Sequence, residues 1–145
     1  MASKVSFRKL WDGHIGDARI KGLFWENQCA ARMSVTLQKA GISLVGYPGK
    51  KIPFKDHFLA ARAQEIADWL DKTRVLGSSE VIRSGKASGR KDSEFVDLLF
   101  RTGIVFIKNG WGRTDHIDLW DSVYLKNGDK FYLRKGEEIR FWPIK

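Results

Sequence analysis

The sequence predicts an α+β domain, with helices in its first half and an antiparallel sheet in its second. Two stretches, residues 28–40 and 55–72, repeat apolar side chains at three- and four-residue steps, the spacing of one helix face. The last third changes character. Residues 103–108 are rich in β-branched and aromatic side chains, residues 115–120 alternate polar with apolar, and residues 138–142 form a final apolar run. Asn109 and Gly110, and then Asn127 and Gly128, punctuate these runs as turn residues.

Taken in order, residues 4–11 read as a short amphipathic helix on Val5, Phe7, Leu10 and Trp11, broken by Asp12 and Gly13. Residues 12–24 are loop-like. In the next helix Ala30, Met33, Leu37 and Ala40 share a face, with Asn27 as N-cap and Gly41 as the stop. Residues 42–45 suit a brief strand, and residues 46–53 an irregular stretch. The second helix buries Leu59, Ala63, Ile66, Ala67 and Leu70. Residues 77–89, rich in Ser, Gly and basic side chains, read as a surface loop with a short strand at Val81 and Ile82. Residues 95–100 suit a helical turn. Residues 123–125 and 130–133 flank Asn127 and Gly128 as a hairpin.

The chain has 145 residues, 43% of them apolar, enough for one domain (1–145) with a real core. One cysteine excludes an intramolecular disulfide. No apolar run approaches the length of a membrane span, so membrane insertion is not expected. The first residues lack the apolar segment of a secretory signal, so export would bypass the general secretory route. The net charge of +9 favours polyanionic surroundings: nucleic acid, acidic lipid or cell wall.

The chemistry centres on Cys29, in the first turn of the helix over 28–40. Helix-start N–H groups and the positive dipole end favour a thiolate there, although a lone cysteine is also a common core residue. On the strand over 115–120, His116 and Asp118 point to one side and Ile117 and Leu119 to the other. A helix-start cysteine followed by a strand histidine is the chain order of papain-like enzymes, where the helix presents the thiol and the sheet the base. That order alone is weakly specific.

Four motifs add specificity. Asn27-Gln28-Cys29-Ala30-Ala31-Arg32-Met33-Ser34 resembles the Asn-Gln-Cys-Ala-x-Arg motif of type VI secretion amidase effectors of the fourth family. His57 to Leu70 is similar to that family's histidine-led helix ending in Glu-Leu-Ala-x-Trp-Leu. Thr102 to Arg113 resembles its Thr-Gly-Ile-Val-Phe-Phe-Lys-Asn-x-Trp-Gly-Arg stretch. Asp115-His116-Ile117-Asp118-Leu119-Trp120 matches its Asp-His-Ile-Asp-Leu-Trp box. The resemblance runs from about residue 4 to the end.

The resemblance implies a papain-like cysteine peptidase fold and an amidase that cuts peptidoglycan stem peptides between D-glutamate and meso-diaminopimelate. It implies no cofactor and no metal. It also implies delivery by the type VI secretion apparatus, action in the periplasm of target bacteria, and a cognate immunity protein. Cys29 is then the nucleophile and His116 the base. The family's third member, an acid past the box, falls on Asn127 when Leu125 is aligned with the family's leucine. Asparagine can orient an imidazole but gives its charged form no opposite charge.

Asp118 and Asp129 stay open for the orienting role. Geometry favours Asn127, because Cα atoms two apart on a strand lie about 7 Å apart whereas facing residues on neighbouring strands lie about 5 Å apart. His57 and Trp111 are expected to border the substrate groove, and His14 to lie on a surface loop.

Two other classes compete. A nucleic-acid-binding module would need a basic face with exposed aromatics, but the aromatics mostly occupy periodic apolar positions suited to a core. A zinc hydrolase finds ligand types in Cys29, Asp115, His116 and Asp118 but no second histidine at ligand spacing. Neither nucleic acid nor metal is therefore expected as a partner.

Overall fold

The computed structural model describes residues 5–16, 18, 20, 28–111 and 114–145, the side chains of Lys86, Trp111 and Thr114 excepted. The helices are α1 (Phe7–Gly13), α2 (Cys29–Lys39), α3 (Ala63–Thr73), α4 (Gly85–Ser88) and α5 (Ser93–Leu98). A hairpin of β1 (Lys51–Phe54) and β2 (His57–Ala60) stands apart from a four-stranded sheet. That sheet holds β3 (Glu80–Ile82), β4 (Gly103–Trp111), β5 (Thr114–Trp120) and β6 (Glu138–Pro143) in the order β3-β6-β4-β5, every pairing antiparallel. A 3₁₀ helix, Lys130–Arg134, precedes β6.

The sheet is covered on both faces. Ile104, Phe106, Ile117 and Leu119 pack with Met33 and Leu37 of α2 and Ile66 and Leu70 of α3. Val105, Ile107 and Trp120 alternate to the other face and meet Leu98, Leu125, Leu133 and Phe141. Burial on both faces explains why β4 is continuously apolar. Each fully buried Ile, Leu or Phe stabilises the fold by about 1.5–3 kcal/mol.

Helix α2 ends as Gly41 predicts. Gly41 has φ +89°, its N–H donates to Gln38 O, and Ile42 N–H donates to Leu37 O, the paired bonds of a glycine stop. Asn27, the expected N-cap, lies outside the described residues.

The structure differs from the sequence reading in several places. Helix α1 starts at Phe7 and runs on through Asp12 and Gly13 to its cap at His14, and α4 lies inside the stretch read as a surface loop. Residues 55–60 are not helical, because His57–Ala60 pair with Lys51–Phe54, and α3 starts only at Ala63. Pro53, which lacks an N–H, is tolerated in that two-stranded sheet, where each strand has an open edge. Residues 42–45 form no strand; Tyr47 N–H turns back to Leu44 O. Residues 123–133 form isolated bridges, Trp120 to Leu125 and Leu125 to Gly128, and then the 3₁₀ helix. Asp129 diverts the chain from a hairpin, since its Oδ1 accepts the Phe131 N–H at 2.8 Å and caps the helix.

Candidate active site

Cys29 is the first residue of α2 and is 3% exposed. Its helix start is tied down from two sides. Gln28 Oε1 accepts the Ile20 N–H at 2.8 Å, and Arg32 Nε donates to Ala18 O at 3.0 Å. Further along α2, Ser34 Oγ accepts the Ala60 N–H at 2.7 Å, which fixes the helix against β2. Cys29 Sγ lies 3.9 Å from the carbonyl oxygen of Asp115, so β5 runs directly past the sulfur.

β5 brings the histidine. A register shift between Ile107 and Trp111 bends the β4–β5 pair beside His116, and Asp115 Oδ1 accepts the Asn109 N–H within it at 2.8 Å. His116 Nε2 is hydrogen-bonded to Asp118 Oδ2 at 2.8 Å, and both side chains are buried. Cys29 is the other side chain whose hydrogen bonding favours the charged imidazole.

Burial pulls the His116 pKa down, but hydrogen bonds to Asp118 and Cys29, with the charges of both, outweigh it and raise the value to about 9. The ring is therefore protonated at neutral pH and forms an imidazolium between a carboxylate and a sulfur. Such a constellation supports nucleophilic acyl transfer: a sulfur to attack, a ring nitrogen to carry a proton, and a carboxylate to fix the ring. The first-turn N–H groups at Cys29 lack intrahelical acceptors and suit a developing oxyanion.

The orienting contact corrects the expectation for Asn127. Side chains two apart on β5 lean together and span the gap between their Cα atoms, so Asp118 meets the ring. Asn127 takes part through its main chain, its N–H lying 3.0 Å from each oxygen of Asp118. The Leu119 N–H donates to Asp118 Oδ1 at 2.7 Å. Asp121 makes this possible by accepting the Val123 and Tyr124 N–H groups at 2.8 and 2.6 Å, which folds residues 121–127 back over the end of β5.

The remaining expected residues fall elsewhere. His57 starts β2 at the tip of the hairpin, bonded to Asp56, and borders a groove formed with residues 38–45 past the far end of α2. It does not join Cys29 and His116. Trp111 closes β4, and its side chain lies outside the described set. Asp129 caps the 3₁₀ helix.

His14 is not a surface residue. It is 4% exposed, and its Nδ1 accepts the Gly16 N–H at 2.9 Å. Burial lowers its pKa to about 4 against the opposing pull of Asp118, so the ring is neutral. The Asp12-Gly13 break suggested a loop and carried no hint of that burial. Tyr132, perpendicular to the His116 ring with centroids 5.5 Å apart, also escaped the sequence reading, because residues 130–133 looked like a strand.

Residues 25–142 match the family model of the type VI secretion system amidase effector protein 4, Tae4. The chain belongs to that family. Solved structures agree in fold. The Tae4 effector of Enterobacter cloacae superposes with a TM-score of 0.78 at 18% identity, over 100% of both chains. The effector–immunity complex Tae4–Tai4 of Salmonella Typhimurium gives 0.75 at 21% identity, covering 99% of this chain and 100% of the other. A search of curated proteins returned no match. The likeness to these structures fixes the mixed fold of helices and antiparallel sheet. As an amidase effector of type VI secretion, the family fits the cysteine–histidine site rather than a nucleic-acid surface. Among the described residues no helix is long and apolar enough to cross a membrane, and no three of His, Cys, Asp and Glu converge as metal ligands.

Proposed function

We propose that the chain is a cysteine amidase that hydrolyses the D-glutamate–meso-diaminopimelate bond of peptidoglycan stem peptides, a D,L-endopeptidase in one catalytic domain. The observation that carries this reading is the imidazole of His116 held between Asp118 and Cys29 at the start of α2. Cys29 sulfur, its proton on His116, attacks the amide carbon. The carbonyl oxygen becomes an oxyanion facing the helix-start N–H groups. His116 gives its proton to the leaving amine, the C–N bond breaks and a thioester remains. The neutral ring then takes a proton from water as its oxygen attacks the thioester. The sulfur leaves, and the imidazolium is restored. Asp118 keeps the ring in one tautomer and offsets its charge throughout.

The positive net charge suits an anionic wall polymer. The chain acts as an antibacterial toxin delivered by the type VI apparatus into the periplasm of target cells. The Tae4 relatives solved with Tai4 support a cognate immunity protein as its partner. Treatment of the purified protein with a thiol alkylating agent tests the reading. Loss of wall lysis in step with modification of Cys29 is expected; full lysis by protein completely modified at Cys29 would reject the cysteine mechanism.

A further inference from the structure

One segment meets the His116–Asp118 pair twice, once at each member. Residues 125–132 turn back on themselves through the Leu125–Gly128 bridge and then wind into the capped 3₁₀ helix. The Asn127 N–H reaches the Asp118 carboxylate, and five residues later the Tyr132 ring stands perpendicular to the imidazole. Leu125 and Leu133, both buried in the core cluster on that face of the sheet, anchor the segment on either side.

We propose that Tyr132 is a positioning residue for the Cys29–His116 chemistry: seated on Gly128, its ring holds the imidazole in line with Asp118 and keeps water from their hydrogen bond. The inference rests on the amidase reading for its catalytic consequence, but not for its structural one.

Two physical points carry it. The final torsion of a histidine side chain is broad and roughly two-fold, so hydrogen bonds at the ring's edge still leave it room to swing. A perpendicular aromatic neighbour is a favoured arrangement and narrows that swing. A charged hydrogen bond is also stronger where water is excluded, and His116 is 7% exposed with Tyr132 against it.

Gly128 marks how tightly the ring is seated. A Cβ placed there would lie 2.5 Å from Tyr132 Cε2 and 2.6 Å from Cδ2. Gly128 is absent from the glycines with positive φ, so its requirement is space for the aromatic ring rather than an unusual backbone.

The test reads the ring directly. Nuclear magnetic resonance titration of the His116 imidazole is compared in the unmodified protein and in Tyr132→Phe, Tyr132→Ala and Gly128→Ala. The same proteins are assayed for kcat/KM on stem peptide across pH. The titratable groups bearing on the ring are Asp118 on its own strand, Cys29 on α2, and His14 beyond α1.

Tyr132→Phe should keep both the midpoint and kcat/KM within about twofold. Tyr132→Ala and Gly128→Ala should shift the midpoint by about one pH unit, with the Asp118 bond weakened and the ring opened to water, and lower kcat/KM by about tenfold. Tyr132→Leu replaces Tyr132→Ala if the latter does not fold, with the same midpoint shift expected. An unchanged midpoint and rate in the Ala or Leu variant would overturn the proposal. So would a loss in Tyr132→Phe equal to that in Tyr132→Ala, which would assign the effect to the hydroxyl. If no protein, the unmodified one included, cleaves stem peptide, the amidase reading fails while the titration still decides what Tyr132 does.

Discussion

Asp118→Asn changes one oxygen and removes one charge from the centre of the site. Asp118 is fully buried and accepts from His116 Nε2, from the Leu119 N–H and from the Asn127 N–H. An amide in its place has one accepting oxygen. If that oxygen faces the backbone, the NH₂ faces His116 and demands the other tautomer; if it faces the ring, the NH₂ meets two N–H donors. Either outcome leaves the imidazolium without its counter-charge. Asp118 is the stronger of the two partners that raise the His116 pKa from 6.5 to about 9 despite burial. That shift corresponds to about 3 kcal/mol in favour of the charged ring.

Loss of most of that preference in the transition state is worth about a hundredfold in kcat/KM. The pH profile should move as well. The unmodified enzyme needs the imidazolium, so its activity should fall as pH rises through about 9. In Asp118→Asn, burial opposes the charge with only Cys29 to support it, and the alkaline limb should move down by about one unit or more. Steady-state rates on purified stem peptide between pH 5 and 10 measure both quantities. A variant within threefold of the unmodified rate, with its alkaline limb unmoved, would refute the orienting role of Asp118.

Asn127→Ala should retain at least about a third of the activity, because Asn127 serves Asp118 through its backbone N–H; a tenfold loss measured in the same assay would restore its side chain to the site. Stability should peak near pH 6.5 in chemical denaturation run across pH. The raised His116 pKa stabilises the fold fully below about 6.5, a contribution lost as pH climbs through about 9. The lowered His14 pKa acts in the opposite sense, since the unfolded chain binds the extra proton, and stability falls as pH drops from about 6.5 towards 4. Each limb is worth about 3 kcal/mol, and a flat profile between pH 4 and 9 would contradict both assignments. Gly103→Ala should lower the melting temperature markedly, at a cost of about 3 kcal/mol or more, because its Cβ would sit 2.0 Å from Trp142 O inside the β4–β6 ladder; an unchanged melting temperature would show that β4 and β6 can separate there.

The parts of the fold legible in the sequence are those whose signal is local and repeated. The three-and-four spacing of Ala30, Met33 and Leu37, closed by Gly41, marked α2, and the alternation around Ile117 and Leu119 marked β5. What was lost depends on contacts distant in sequence. His57–Ala60 carries apolar side chains that suit a helix face equally well, and only pairing with Lys51–Phe54 makes it a strand.

The placement of Cys29 at a helix start and of His116 on a strand face was readable as local geometry, and their roles only through the motif resemblance. The choice between Asn127 and Asp118 was not. It turns on a back-fold held by Asp121, which delivers a backbone N–H that no side-chain pattern records. His14 was misplaced for a related reason: Asp12 and Gly13 signal a helix break, yet α1 runs through both to a cap at His14, and nothing in that signal tells whether the cap is buried.

Mass analysis of muropeptides released from purified peptidoglycan tests the central claim most directly, run in parallel with the unmodified protein and Cys29→Ala. The expected result is stem peptides severed between D-glutamate and diaminopimelate, with none produced by Cys29→Ala, whose small side chain leaves the first turn of α2 intact. The same fragments released by folded Cys29→Ala, or cleavage confined to the glycan strand, would contradict it.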